Sequence, residues 1–369
     1  MDTPPEGLDG DLFVIGPEQP LVDGLADRLR AQGKLVFGPG ADGAQVEGSK
    51  AYMKELAWAA EIPTARYGAF DEVEPALAFL RTLPPPYVVK TDGLAAGKGV
   101  LVTPDLAEAE ADVREKLAGE SFGDAGRRVI IEEGMTGPEV SVFAICDGTR
   151  AIALPPAQDF KRVGDGDTGP NTGGMGAYSP LPWLPDDFAD DVVARFVQPA
   201  LDELRRRGID YRGVLYTGLM VTADGPRLVE YNIRFGDPDS QVVLLRLTSD
   251  LAALLADAAA GELTSAPTFD DGAAVLVVAA AEGYPIAVRT GDVIGGVDDA
   301  ASVDGASVLN AGVALDDDGH LVTAGGRVLE VVGRGPDLPT ARARAYDAVY
   351  RLGWPGIQFR TDIAGESNA

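Results

Sequence analysis

The sequence predicts a multidomain protein of mixed α/β and α+β class. Its 369 residues are too many for one ordinary hydrophobic core. The composition, with 46% apolar residues, 24% charged residues and 46 glycines, is typical of a globular chain rich in loops. Short apolar strands alternate with amphipathic helices along most of the chain, which indicates α/β units, and the last third favours a separate α+β domain.

The first predicted domain, residues 1–48, is part of a parallel sheet. Residues 11–15 form an apolar run typical of a buried strand, and 34–37 form a second one. Between them, leucines at helical spacing predict an amphipathic helix over 20–32. Strand, helix and strand in this order indicate a βαβ unit.

The predicted central domain consists of two segments, 49–85 and 133–262. A smaller predicted unit, 86–132, is inserted between them. The central domain opens with a helix from Ser49, the expected N-cap, to Ala60. A run of three prolines at 84–86 marks the boundary of the smaller unit. Helix 74–82 of the central domain leads into the smaller unit, whose predicted elements are strands 87–90, 100–102 and 128–132 and helix 105–118.

The second part of the central domain contains a long segment, 158–180, that is rich in glycine, aspartate, threonine and proline. The sequence predicts a loop without secondary structure there, and loops of this length are usually functional. The other predicted elements are strands 139–146, 151–154, 213–221 and 227–232 and helices 187–207 and 240–259. Residues 263–369 form the predicted C-terminal domain, with a linker at 263–272, strands 273–280, 307–315 and 326–333, and helix 338–352.

Charge and cysteine content restrict the partners and the compartment. The formal net charge of −27 repels polyanions, so neither nucleic acid nor an anionic membrane is an expected partner. The single Cys146 has no partner for an internal disulfide, which fits a reducing compartment. The N-terminus does not resemble a signal peptide, and no apolar run has the length of a membrane span. We therefore expect a cytoplasmic protein that is a monomer or a weak oligomer.

A glycine-rich loop between two strands is the sharpest local motif. The string V-V-K-T-D-G-L-A-A-G-K-G-V runs from Val88 to Val100. Glycines allow backbone N–H groups to face phosphate oxygens, and lysines supply positive charge. The spacing and the following strand differ from a P-loop. A plain hairpin turn is the alternative interpretation.

A second motif covers 129–139, where an apolar strand ends in acidic residues. Glu132 and Glu133, then Met135 and Glu139, could frame an adenine and bind ribose hydroxyls. Taken alone, the pattern favours a solvated strand end over a nucleotide site.

A third motif, L-V-E-Y-N-I-R-F-G-D-P at 228–238, predicts a metal site. Alternation places Glu230, Asn232 and Arg234 on the same face of a strand end. Two hard oxygen ligands suit Mg²⁺, and an arginine beside them can stabilise a transferring phosphoryl group. Simple pairing of the carboxylate with the guanidinium is the alternative.

The fourth motif is Q-D-F-K-R at 158–162, followed by G-P-N-T-G-G-M-G-A-Y at 169–178. It contains a chance G-x-G-x-x-G at 164–169. A dinucleotide site is rejected there, because no strand precedes it and its aspartates would repel pyrophosphate. A flexible surface loop is the alternative.

In this order, the four motifs resemble the ATP-grasp superfamily. Within it, G-P-E-Q-P-L-V-D-G, E-G-S-K and N-I-R-F-G-D-P, together with the strings above, resemble glycinamide ribonucleotide synthetases over about 11–364. The resemblance implies an ATP-grasp fold with a partial N-terminal Rossmann-like domain. It also implies a ligase of purine biosynthesis that uses ATP with Mg²⁺ or Mn²⁺ to join glycine to 5-phosphoribosylamine through glycyl phosphate.

The same resemblance implies roles for individual residues. Arg234 and Lys90 would be catalytic, and Glu230 and Asn232 would bind the metal. The implied ATP-binding residues are Lys50, Lys90, Gly93, Gly97, Lys98, Gly99, Glu132, Glu133, Met135 and Glu139. The implied substrate-binding residues are Pro17, Glu18, Asp159, Lys161, Arg162, Asn171, Thr172, Gly173, Arg234 and Asp237.

Several positions depart from the family pattern. Phe160 and Asn310 stand where histidine is common, and Gly134 stands where an apolar residue is common. The glycine-rich loop G-G-R-E-H-A that usually opens the family is not in the sequence, so a late start at Met1 is expected. Another ATP-grasp carboxylate-amine ligase, or a truncated ATP-binding protein with impaired ligase activity, are the competing interpretations.

Overall fold

The computed structural model describes residues 4–94, 99–119 and 128–365, and these form two compact units. The first unit comprises Met1–Leu154, Asp187–Phe235 and Asp250–Ala266. The second comprises Pro155–Asp186, Gly236–Ser249 and Pro267–Ala369. The finer division at 1–48, 49–85 with 133–262, 86–132 and 263–369 stays a prediction.

The N-terminal part of the first unit contains a parallel pair of strands, Phe13–Val14 and Val36–Phe37. The single helix predicted between them is wrong, because the structure has two, Glu18–Val22 and Leu25–Ala31. Gly24 separates them with a φ of +77°, a left-handed conformation that ends a right-handed helix. The short 3₁₀ turn Pro5–Gly7 precedes this region, and helix Ala41–Gly48 follows it.

A four-stranded antiparallel sheet carries the glycine-rich motif. Its strand order is Tyr67–Phe70, Val129–Glu133, Tyr87–Thr91 and Val100–Thr103. Helices Val73–Leu80 and Leu106–Leu117 pack against it through buried aliphatic side chains, among them Leu77, Leu80 and Val113. The predicted strands and helices of this region are confirmed, and strand Tyr67–Phe70 was not predicted.

A second antiparallel sheet in the first unit carries the metal motif. Its order is Gly225–Asn232, Arg212–Thr222, Glu139–Asp147 and Ala151–Ala153, with a two-residue turn between the first two strands. Cys146 is fully buried in the third strand, and this burial raises the pKa of its thiol. The surrounding helices are Lys50–Ala59, Leu251–Ala260 and a helical run from Phe188 to Arg206 that includes one π-turn at Val193–Val197.

The predicted helix 240–259 is wrong, since the chain forms two helices there. Asp239–Leu244 lies in the second unit and Leu251–Ala260 in the first. The second helix has its own N-cap, because the Asp250 side chain accepts a hydrogen bond from Ala253 N.

A five-stranded antiparallel sheet forms the core of the second unit. Its order is Ala306–Asn310, Arg327–Gly335, Ala273–Ala280, Gly176–Ser179 and Gln158–Asp159. Helix Leu338–Val349 packs on its central strands. Helix Val297–Ala301 and a small sheet of Val313–Leu315 with Leu321–Thr323 complete the unit, so the strand predicted at 307–315 is two strands.

The structureless loop predicted at 158–180 is also wrong. Residues 158–159 and 176–179 join the five-stranded sheet, and Arg162–Gly164 and Thr168–Asn171 form a hairpin. These strands are short and rich in polar residues and glycine, so they lack the apolar alternation that signals a strand. None of the helices in the described residues could serve as a membrane span.

Candidate active site

The start of helix Lys50–Ala59 is tied to the glycine-rich motif. The Ser49 hydroxyl, which caps this helix, donates a hydrogen bond to Asp92 Oδ1 over 3.0 Å. Lys50 Nζ lies 3.3 Å from the carbonyl oxygen of Gly93. Lys50 and Gly93, at the start of the glycine-rich motif, are distant in sequence but therefore lie together.

Gly93 has a φ of +108°, a conformation that favours glycine. The carbonyl oxygen of Gly99 accepts a hydrogen bond from Thr91 N, which closes the base of the loop. Gly97 and Lys98 lie outside the described residues.

A buried group of three charges includes Lys90, which lies on the strand Tyr87–Thr91 that precedes this loop. Glu132 contacts Lys54 and Lys90, each over 3.1 Å, and the three side chains are almost completely buried. Burial lowers the pKa of Lys54 to about 8, although Glu132 opposes this shift. Burial alone would raise the pKa of Glu132, but Lys90 and Lys54 hold it below its usual value. One carboxylate between two lysines leaves a net positive charge that suits phosphate.

Lys54 was not among the predicted site residues. Its Nζ also donates to Thr64 Oγ1 over 2.7 Å, so its position is fixed from two sides. Its position could have been predicted from the sequence. Lys54 follows Lys50 by four residues on one helix, so the two lysines lie on the same face.

The predicted adenine residues lie at the end of strand Val129–Glu133 and after it. The Glu133 carboxylate is held by Arg227 over 2.8 Å and by the backbone N–H of Arg66 over 2.9 Å. Met135 and Glu139 are half-buried. The glycine at position 134, where the family commonly has an apolar residue, has a steric explanation. A Cβ at Gly134 would lie 2.3 Å from the carbonyl oxygen of Pro86.

The predicted metal ligands have suitable chemistry. Glu230 and Asn232 are half-buried at the end of strand Gly225–Asn232, whereas Tyr231 and Ile233 between and after them are buried. Burial lowers the pKa of Lys50, and Glu230 is the carboxylate that most opposes this shift, so the two groups are close in space. A carboxylate and an amide oxygen near a lysine have the chemistry of a Mg²⁺ site.

Arg234 lies among carboxylates in the first unit. Its Nε donates to Glu18 Oε2 over 2.9 Å, and its terminal nitrogen lies 3.3 Å from Glu47 Oε1. Burial alone would lower the pKa of Arg234, but Glu47 and Glu18 raise it. Pro17 is the N-cap residue of the helix that begins with Glu18. The simple pairing considered for Arg234 therefore occurs, but with Glu18 and Glu47.

Glu47 was missed by the sequence reasoning. Its side chain is only 9% exposed, and it also accepts a hydrogen bond from Ile233 N over 2.9 Å. Burial raises its pKa, and Arg234 opposes the shift. Glu47 opens the string E-G-S-K, but the string gave it no role, and only the fold shows its contacts with Arg234 and Ile233.

The remaining predicted substrate residues belong to the second unit. Asp159 lies in a strand of the five-stranded sheet, and Arg162 donates to Gly169 O over 2.8 Å across the hairpin. The Thr172 hydroxyl donates to the Lys161 carbonyl oxygen over 2.9 Å. Asn171 is exposed at the end of the hairpin.

Arg327, also missed, joins Gly173 to Asp237 within this unit. Its guanidinium donates to the Gly173 carbonyl oxygen over 2.9 Å and holds both carboxylate oxygens of Asp237 over 3.0 and 3.1 Å. Such a two-point contact fixes the carboxylate orientation.

The Gln241 amide bridges Asp237 to Glu330. Its nitrogen lies 3.3 Å from Asp237 Oδ1 and 2.9 Å from Glu330 Oε2. Glu330 is only 3% exposed, and burial together with Asp237 raises its pKa to about 8.

Three family models match the chain. The N domain of phosphoribosylglycinamide synthetase matches residues 7–47, the ATP-grasp (A) domain matches 48–240 and the C domain matches 274–366. A phosphoribosylamine–glycine ligase of Streptomyces coelicolor is 50% identical over 98% of this chain and 85% of its own length. The Escherichia coli K12 protein of the same name is 48% identical over 96% of this chain and 82% of its own length.

Solved structures agree with these relatives. A phosphoribosylamine–glycine ligase of Thermotoga maritima superimposes with a TM-score of 0.86 at 33% identity, covering 97% of this chain and 87% of that one. The biotin carboxylase domain of a Hydrogenobacter thermophilus 2-oxoglutarate carboxylase, solved with MgADP and bicarbonate, reaches 0.73 at 17% identity over 95% and 76% of the two chains, which shows a shared fold alone. The predicted ATP-grasp fold and the resemblance seen in the sequence are confirmed. The chain belongs to the phosphoribosylglycinamide synthetase family.

Proposed function

We propose that this chain joins glycine to 5-phosphoribosylamine and converts ATP to ADP and phosphate, a step of purine biosynthesis. The observation that carries the proposal is about 50% identity to ligases of that name over nearly the whole chain. The buried lysines beside a glycine-rich loop support it, since they offer positive charge where nucleotide phosphates would bind.

The reaction has two steps that require positioning and charge stabilisation but no nucleophilic side chain. A glycine carboxylate oxygen attacks the γ-phosphorus of ATP, and ADP leaves. The amine of phosphoribosylamine then attacks the carbonyl carbon of glycyl phosphate, loses a proton and expels phosphate. Lys50 and Lys90 would bind the phosphates, and Arg234 would stabilise the charge that develops during transfer. Glu230 and Asn232 would hold Mg²⁺ or Mn²⁺, which would neutralise phosphate charge.

The other assignments complete the proposal. Backbone at 132–135 would frame the adenine, and Glu139 would bind the ribose. In the second unit, Asp159, Lys161, Arg162 and Asp237, with the turn 171–173, would bind substrate. The protein would act in the cytoplasm on these small molecules, without nucleic acid or membrane partners, as a monomer or weak oligomer.

The test measures ADP release and the mass of the organic product while single substrates are omitted. We expect ADP only when glycine, phosphoribosylamine, ATP and Mg²⁺ are all present, with glycinamide ribonucleotide as the product. ADP release with a different acid or amine in place of these would assign another carboxylate-amine ligase. Binding of ATP without any turnover would contradict a ligase.

A matched pair of variants tests the phosphate assignment. Lys90→Met should lower turnover by about 10²-fold or more, because it removes a charge at the transferred group. Lys116→Met is the control, since Lys116 is another buried lysine of the same four-stranded region and pairs with Asp112. Equal activity of the two variants would contradict the role of Lys90.

A further inference from the structure

Arg360 has the largest side chain among those that are fully buried in the described residues. Its guanidinium binds two carboxylates, with Nε and one terminal nitrogen on Asp362 over 2.8 and 2.6 Å and the other terminal nitrogen on Asp167 over 2.7 Å. It also donates to the Arg162 carbonyl oxygen over 3.1 Å. All of these residues belong to the second unit. A buried charge needs such partners. Here Asp167 and Arg162 belong to the hairpin, and Asp362 accepts a hydrogen bond from its turn.

The hairpin turn is held residue by residue by the segment 360–362. Asp165 accepts a hydrogen bond from Thr361 N over 2.8 Å, and the Gly166 N–H donates to Asp362 over 2.8 Å. Asp167, which binds Arg360, has a φ of +54°, a left-handed conformation that is uncommon for aspartate. The shape of the turn therefore depends on contacts from the far end of the chain.

Arg360 also contacts the segment on the other side of Lys161. Its guanidinium lies 4.9 Å from the ring centroid of Phe160, which is buried. The Phe160 backbone is fixed in both directions, donating to Gly176 O over 2.9 Å and accepting from Met175 N over 2.8 Å. Arg360 thus touches the residue before Lys161 through its ring and the residue after it through its carbonyl oxygen.

We propose that Arg360 is a positioning residue for the ligation, because it fixes the backbone that carries Asp159, Lys161 and Arg162. The proposal rests on the proposed function, in which those three residues bind substrate. It adds the C-terminal segment 360–362 to the parts of the chain on which substrate binding depends. Arg360 acts through the loop and needs no contact with substrate.

The energetics favour this role over simple stabilisation. A buried arginine contributes little net stability, because its desolvation offsets much of its attraction to carboxylates. The carboxylates that it would leave behind are partly exposed, with Asp167 63% and Asp362 24% accessible. Water can therefore solvate these carboxylates if the arginine is removed. The substitution should then disturb the conformation of the hairpin more than the stability of the fold.

The experiment compares four variants of the full chain. Arg360→Met removes the charge and keeps apolar volume, and Arg360→Lys keeps the charge. Asp167→Asn weakens one contact at an exposed site. Arg344→Met is the matched control. Arg344 also binds a carboxylate, that of Asp304, and a carbonyl oxygen, that of Arg334, but both of these partners lie outside the hairpin.

We expect Arg360→Met to lower kcat/KM for glycine or phosphoribosylamine by about 10²-fold, since small displacements of positioning groups have such effects. The KM for ATP should not change. Arg360→Lys should restore part of the loss, and Asp167→Asn should show a smaller loss in the same parameter. Arg344→Met should behave as wild type. Amide hydrogen exchange at Gly166 and Thr361 should accelerate in Arg360→Met and not in the control.

Wild-type kinetics in a folded Arg360→Met protein would overturn the proposal. If that variant does not fold, unchanged kcat/KM for both substrates in Asp167→Asn would overturn it as well. Equal changes in the KM for ATP and for the other substrates would indicate a general structural loss and also contradict it. A wild-type protein without glycine-dependent turnover would refute the proposed function itself, whereas the exchange measurement would still report whether Arg360 holds the turn.

Discussion

Glu330 places a buried ionisable carboxyl in Arg327–Gly335, an interior strand of the five-stranded sheet. Its pKa is raised to about 8 by burial and by Asp237. Below the ordinary pKa of glutamate, the folded and unfolded chains both carry the proton. Between that value and about 8 only the folded chain keeps it, so stability falls by up to about 1.4 kcal/mol per pH unit. Above about 8 the loss is complete.

We therefore expect Glu330→Gln to be more stable than wild type at pH 8 and to approach it as the pH falls towards 5. The amide is neutral at every pH and keeps a hydrogen-bonding group beside Gln241. Urea unfolding at several pH values measures the difference. Glu262→Gln, at an exposed site, is the control and should follow wild type. Parallel pH profiles for Glu330→Gln and wild type would contradict the assignment.

Glu230 and Asn232 give a second prediction at single residues. Glu230→Gln and Asn232→Ala should keep the fold but need more Mg²⁺ and lose about 10²-fold in kcat, because the first removes the negative charge and the second the amide oxygen of the proposed metal site. Turnover is measured over a range of Mg²⁺ concentrations, with Mg²⁺ binding to the ATP complex followed by calorimetry. Asn310→Ala, an exposed asparagine in the second unit, is the control. Wild-type Mg²⁺ dependence in both variants would refute the metal assignment.

At the scale of elements, the cap of helix Lys50–Ala59 connects helix stability to the proposed ATP site. Ser49 Oγ accepts a hydrogen bond from Tyr52 N and donates to Asp92. Ser49→Ala should cost about 1 kcal/mol, the usual loss for a cap. It should also raise the KM for ATP, because Lys50 is the next residue.

Asp250→Ala is the matched control for this prediction, since Asp250 caps helix Leu251–Ala260 in the same unit. It should show a similar loss of stability in thermal unfolding but an unchanged KM for ATP. If both variants change the KM equally, the effect belongs to stability, and the link between the cap and Lys50 is wrong.

The elements also show why some structure could be predicted and some could not. Helix Lys50–Ala59 has a cap and an apolar repeat within ten residues, so local sequence determines it. The hairpin of Arg162–Gly164 and Thr168–Asn171 has neither, and its turn depends on residues near 360. The same holds at the site. Motif residues such as Lys90 and Glu132 could be found from sequence, whereas Glu47 and Arg327 act through contacts with distant segments.

For the whole molecule, charge is the dominant property. A formal net charge of −27 on 369 residues makes the folded chain repel itself. Salt weakens this repulsion, since the screening length falls from about 10 Å at 0.1 M to about 3 Å at 1 M. Salt also weakens exposed ion pairs, but each contributes only about 0–1 kcal/mol.

The weakening of repulsion should therefore outweigh the weakening of ion pairs, and we expect Tm to rise between 0.1 M and 1 M NaCl. Calorimetry at constant pH measures this, with sucrose of equal osmolality as the control for general exclusion effects. A fall in Tm would show that ion pairs outweigh net repulsion in this protein.

The burial of Cys146 has a practical consequence. A chain whose sole thiol is sealed in a sheet, with its pKa raised, has no sulfur that reacts with maleimide while folded. A cysteine introduced at an exposed position, such as Thr168→Cys in the hairpin, would then be the single point of attachment for a fluorophore. The native cysteine can remain in place, so dye-labelled protein for fluorescence or single-molecule work would differ from the natural chain at one surface residue.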